Sequence, residues 1–182
     1  MLPDLTTLAN VKSWLSITGA GDDAELSRLV TAASGFVRAW CNRDFSLQTY
    51  THTYNGKGTQ SIKTRQYPIV AVTSLVIDTD VIPLAPDAIS NGYMFSDTEI
   101  AVRGYRFNRG FQNIQVGYQA GFAVIPSDLE QAVIELIGLK RSQAKNNGLS
   151  SKGIANETTA FIVKDLLPGT QTNLNFYKRV RP

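Results

Sequence analysis

The chain has 182 residues, 43% of them apolar, and a net charge of +3 from 18 basic and 15 acidic side chains. That apolar share supports a packed core and excludes an intrinsically disordered chain. The charge is too mild to mark a dedicated nucleic-acid binder, and the single cysteine, Cys41, excludes an intrachain disulfide and suits a reducing cytoplasm. What basic excess there is lies in residues 126–182, with eight basic against five acidic groups. The opening residues MLPDLTTLAN are neither basic nor continuously apolar, so no signal peptide is expected. No apolar run reaches the length of a membrane span.

The first 44 residues predict a helical hairpin. Leu8, Val11 and Leu15 share one helical face beside Trp14, with Thr6 or Thr7 as N-cap. TGAG at 18–21 breaks the chain. Asp22 and Glu25 then have the spacing of a capping box. Leu26, Leu29, Val30, Ala33, Val37, Trp40 and Cys41 follow at spacings of three and four, and Gly35 interrupts them with a cost of about 1 kcal/mol or a chance of close packing.

From Phe45 the period changes to two. FSLQTYTHTY, followed by the turn NGKG, predicts a strand with TQSIKTRQ pairing back on it. IVAVTSLVI at 69–77 is a β-branched strand, and VIPLAP is at most an edge. GYMFS, TEIAVRG and NIQVGYQA complete a small, mostly antiparallel sheet over residues 45–124. Helical spacing returns at Pro126, with Ser127 or Asp128 as cap and Leu129, Ala132, Val133, Leu136 and Ile137 as the apolar stripe of a third long helix over 125–147. RSQAKNNGLSSKG closes it. Residues 148–182 then read as an extended arm, including IANETTAFIV, and a short helix starting near Pro168. The expected fold is α+β: a helical bundle interrupted by an antiparallel β insertion, with the second and third helices packed together and holding the ends of the insertion close.

Catalytic material is sparse. His52, the only histidine, sits in a strand of alternating threonines and tyrosines, where an exposed or half-buried strand histidine is expected rather than a base. No Cys or His pair has zinc-ligand spacing. DTD at 78–80 reads as a turn, GAGDD at 19–23 as a linker and cap, and GKG at 56–58 lacks the rest of a P-loop. Neither an enzyme, a metal nor a cofactor is expected.

RGYRFNRGFQN at 103–113 mixes arginines with aromatics, the composition of a single-stranded nucleic-acid platform. Arg103, Tyr105, Arg106, Phe107 and Arg109 are candidates for a nucleic-acid or inter-subunit contact. The RNA-recognition signature fails at Arg106, Asn108 and Gly110, where it asks for Gly or Ala, Val and an aromatic. Alternating strands on either side make 104–112 the expected loop of a β-hairpin with its arginines at the tip. A second alternative is a ligand-binding β module using Tyr50, Tyr54 and Tyr93.

Several stretches together resemble the head–tail connector, or adaptor, family of long-tailed bacteriophages. They are LANVKSWLSI, DDAELSRLVTAASGFVRAWCNRDF, RQYPIVAVTSL, RFNRGFQNIQVGYQAGF, IPSDLEQAVIELIGLKR and GLSSKGIANETTAF. The resemblance covers most of the chain and lies in the order of elements rather than in one diagnostic motif. It implies a structural virion protein at the head–tail junction, made in the host cytoplasm. It implies a homo-oligomeric ring between the portal and the next neck protein, through whose channel DNA passes without sequence-specific binding. It places the arginine-rich loop on a lateral or outward face of the ring. It also implies that the C-terminal segment binds the portal; Leu174, Phe176 and Tyr177 are the candidate anchors with Lys178 and Arg179 at the rim, the alternative being that this helix completes the chain's own core.

Overall fold

The computed structural model describes residues 2–145, 151–154, 157–160 and 166–179. They form two compact units: Met1–Asn42 with Ile125–Pro182, and Arg43–Val124. The fold is α+β, as the periodicities predict.

The first unit is a bundle of four helices, α1 (Leu8–Trp14), α2 (Asp23–Cys41), α3 (Ser127–Lys145) and α4 (Pro168–Tyr177). Thr7 caps α1 by accepting from the backbone N–H of Asn10 at 3.2 Å. The capping box expected on α2 does not form. The Asp22 side chain makes no cap hydrogen bond and instead pairs with Arg141 of α3, while Asp23 pairs with Lys12 of α1 at 2.6 Å. Two adjacent aspartates thus tie the start of α2 to both neighbouring helices. Gly35 does not mediate close packing, because open space surrounds its Cα. Gly138 does: a Cβ there would meet the Trp14 ring at 2.8 Å. Most of the predicted stripes of α2 and α3 is buried, with Leu26, Val37, Cys41, Leu129, Val133 and Ile137 sealed from solvent, while Leu29 and Trp40 are half-buried.

The second unit corrects the single small sheet. A four-stranded sheet has the order β1-β7-β3-β4, built from β1 (Gln48–Gly56), β7 (Gly110–Ala120), β3 (Ile69–Ile77) and β4 (Asp80–Val81). A three-stranded sheet has the order β2-β6-β5, from β2 (Ser61–Lys63), β6 (Glu99–Arg103) and β5 (Gly92–Phe95). Both contribute to one apolar core, with Leu75, Ile114 and Val116 from the first sheet and Ile100 and Tyr93 from the second. TQSIKTRQ therefore does not pair back on β1; its β2 segment pairs with β6. Local alternation identified the strands, but partner choice depends on this shared core. β1 runs antiparallel to β7 from Gln48↔Ala120 to Tyr54↔Ile114.

Of the tract 141–153 expected to close α3, residues 141–145 continue the helix, 151–153 belong to a strand and 146–150 lie outside the described residues, as do 155–156 and 161–165 of the expected arm. Within that arm, β8 (Ser151–Ile154) and β9 (Glu157–Ala160) pair antiparallel. α4 starts with Pro168 at its first turn and turns Thr170 and Leu174 inward; Leu174 is fully buried. Leu174→Ala should therefore lower the stability of the helical unit by about 2–5 kcal/mol. Urea unfolding followed by far-ultraviolet circular dichroism checks this, and an unchanged midpoint would contradict it.

Candidate assembly surfaces

The C-terminal candidates divide by helical face. Thr170, Leu174 and Tyr177, spaced by four and three, share one face, from which Thr170 and Tyr177 reach α3 while Leu174 is buried. Thr170 donates to Glu135 at 2.6 Å and the Tyr177 hydroxyl contacts both carboxylate oxygens of Asp128 at 2.7 Å. Past the helix, Lys178 lies 5.0 Å from the centre of the Trp40 ring, and the Arg179 N–H donates to the carbonyl of Cys41 at 2.9 Å. Leu174 is thus a core residue of the chain and not a surface anchor. Phe176 points the other way, 82% exposed. The sequence held the signal that separates them: 170, 174 and 177 form one stripe and 176 falls off it.

The arginine-rich stretch is not a hairpin. β6 before it and β7 after it belong to different sheets, so residues 104–109 cross from one sheet to the other. Phe107 is fully buried in the core between them and forms a bridge with Thr59. It is unavailable for stacking on a base. Arg103 donates to the carbonyl of Ala88 at 2.9 Å, while Tyr105, Arg106 and Arg109 are exposed. The crossing is held at its far end by Asp78, which accepts from the side chains of Asn108 at 2.9 Å and Asn113 at 3.0 Å. Gly56 on β1 permits the close approach, since a Cβ there would sit 1.6 Å from the Asn108 carbonyl oxygen.

The tyrosines of the ligand-binding alternative do not assemble into one open site. Tyr93 is buried and donates to the carbonyl of Val72 at 3.1 Å. Tyr50 and Tyr54 pack half-buried against the core. His52 is the half-buried strand residue expected; it stacks on Tyr50 and shares a 2.9 Å hydrogen bond with the hydroxyl of buried Tyr118. Burial and the neighbouring Tyr54 hydroxyl push the Tyr118 phenol far above its ordinary value. Among the described residues no three His, Cys, Asp or Glu side chains are grouped to hold a metal, and no helix is long and apolar enough to cross a membrane.

Nothing in the spacing or composition around Arg43 marks it as a buried residue. Arg43 is buried, lies 3.6 Å from the centre of the Tyr67 ring with Phe45 and Phe122 nearby, and donates to the Tyr67 carbonyl. Beside it the insertion's two ends are joined. The Phe122 N–H donates to the Phe45 carbonyl at 2.7 Å, and the Leu47 N–H to the Phe122 carbonyl at 3.0 Å.

Comparison with known proteins decides the family. The model of the head completion protein family matches residues 4–180. The chain belongs to the head completion protein family. This agrees with the resemblance to phage head–tail connectors carried by the sequence. No match exists among curated proteins. In fold, this head completion protein is similar to a chain from the neck of an empty gene transfer agent particle computed with C6 symmetry. The identity is 21% and the TM-score 0.56, covering 100% of this chain and 97% of that one. A chain from the neck of a native particle computed with C12 symmetry gives 18% identity and a TM-score of 0.57 at the same coverage. A chain from the virion of a native gene transfer agent particle gives 20% and 0.56, again covering 100% and 97%.

The crossing loop carries a pH signature. Hydrogen bonds from Asn108 and then Asn113 hold the Asp78 carboxyl below the ordinary aspartate value. A depressed folded value means that this contribution is complete above the unfolded pKa, about 4, and is lost as pH falls through the lower folded value. The side-chain amide signals of Asn108 and Asn113 should therefore stay unchanged down to about pH 4 and move only below it. Movement at or above the ordinary aspartate value would contradict the arrangement.

Proposed function

We propose that this chain is a structural, non-enzymatic neck component of a tailed, phage-like particle, resident in the virion at the head–tail junction. The observation that carries this reading is the family match, which spans nearly the whole chain. The structural similarity supports it, since the matched chains come from necks computed with C6 and C12 symmetry. On this reading, copies of the chain form a ring between the portal and the next neck protein, and DNA passes through the channel. The mild net charge of +3 suits passage, because a strongly cationic lumen would retain phosphates. As a ring component the chain divides into the helical unit 1–44, the insertion 45–124, the third helix 125–147 and the C-terminal segment 148–182.

Portal contact falls to the outward face of the C-terminal segment. Phe176 is its exposed aromatic anchor, with Lys178 and Arg179 beside it. Tyr177 and Leu174 support them from the inward face. The exposed Tyr105, Arg106 and Arg109 are left for a lateral contact in the ring.

Phe176→Ala tests the portal contact without disturbing the core. It should weaken attachment to purified portal rings at least tenfold, the scale of a lost aromatic hot spot, with the unfolding midpoint unchanged. Attachment equal to that of the unaltered chain would refute the assignment. Removing residues 168–182 is a poorer test, because it also strips Leu174 from the core.

A further inference from the structure

The sheet edges of the inserted unit are not equally protected. β4 is two residues long, begins with Asp80 and runs on to Pro83. β2 is three residues long and ends in Lys63. β5 has its outer side occupied, since the Ala85 N–H donates to the Tyr93 carbonyl and the Tyr93 N–H to the Pro83 carbonyl. Shortness, charge, proline and cover are the ordinary guards of a sheet edge. β1 lacks them. It runs nine residues, QTYTHTYNG, with no charge and no proline, and its one irregularity lies at the far end, between Tyr54 and Gly56.

The direction of its open groups follows from β7. The Asp78 N–H donates to the Asn113 carbonyl and the Gly121 N–H to that of Pro68, so odd-numbered residues of β7 face β3. Even-numbered ones face β1, in register with Tyr50, His52 and Tyr54. The main-chain groups of Thr49, Thr51 and Thr53 therefore point away from the sheet. The Thr53 carbonyl accepts from Arg65 at 3.2 Å. Among the described residues no strand pairs along Thr49 and Thr51.

A second element has the complementary need. β8 and β9, four residues each, pair only with one another among the described residues. A lone two-stranded hairpin is marginal in water and gains stability from a third strand. Within the chain this hairpin and β1 belong to separate sheets.

We propose that in the assembled ring the β8–β9 hairpin of one copy adds as a strand to the open edge of β1 in the next copy. This rests on the ring reading given above. Strand and edge are different surfaces, so the contact is head-to-tail, the kind that closes into rings. Main-chain hydrogen bonds supply the attraction, and the uncharged threonine edge offers no repulsion.

Two variants and a cross-link test it with the full chain. Thr51→Pro removes an outward N–H that the sheet itself does not use, a change edge strands tolerate. Thr51→Lys keeps the N–H and adds an edge guard, so it covers the case in which the proline disturbs folding. Each should keep the unaltered far-ultraviolet spectrum and raise the concentration needed for ring formation, alone or on portal rings, at least about tenfold. Mixing Thr51→Cys chains with Thr159→Cys or Lys152→Cys chains, whose positions oppose each other in the hairpin, should give disulfide-linked pairs between copies on assembly. Rings that form at the unaltered concentration from the Thr51→Lys chain, or without cross-links from the cysteine mixture, would overturn the strand addition and leave the ring standing. Cross-linking within one chain of a Thr51→Cys/Thr159→Cys variant held monomeric would overturn it in favour of an internal partner. If the unaltered chain forms no ring even on portal rings, the ring reading fails and the strand addition with it.

Discussion

The inserted unit depends on the long antiparallel pairing of β1 with β7. β1 follows directly on the entry to the insertion and β7 precedes its exit, so their pairing draws the two ends of an 82-residue segment, Arg43–Val124, side by side. The closure is reinforced where it is most exposed to fraying. Phe45, Leu47 and Phe122 exchange backbone hydrogen bonds there, and the buried Arg43 guanidinium lies over the Tyr67 ring. A buried cation is costly unless it is paired or packed on aromatic faces; here the ring face and the Tyr67 carbonyl meet that requirement. With both ends fixed together, the interruption of a helical bundle by a β unit carries little penalty for either part.

The helical unit has its own organising contact in α3. Its apolar stripe meets α1 and α2, and its acidic side chains bind the partners that position the termini. Glu130 accepts from Thr6 and Asn10, Glu135 from Thr170, and Asp128 contacts the Tyr177 hydroxyl. α4 is therefore part of the fold and also presents Phe176 outward.

Much of this was legible in the sequence, because periodicity is local. The stripes of α2 and α3, the Thr7 cap and the proline start of α4 were all visible as spacing. What was not legible was partnership between distant segments. Asp22 and Glu25 have capping-box spacing, yet Arg141, more than a hundred residues away, takes the Asp22 side chain. Two alternating segments separated by a glycine-bracketed loop looked like a hairpin, yet β6 and β7 belong to different sheets because Phe107 has to reach the core between them. Of the candidate contact residues, composition grouped Leu174 with Phe176 and Phe107 with its arginines. Burial separates each pair, and only the helical stripe through Leu174 offered an early sign of it.

The central claim is that this head completion protein works as an oligomeric ring at the neck. The most direct measurement is the mass of the purified chain by light scattering over a wide concentration range, with and without portal rings, with electron micrographs of the same samples. The account predicts closed rings, either free or seated on the portal. A chain that stays monomeric at every concentration and leaves portal rings undecorated would contradict it.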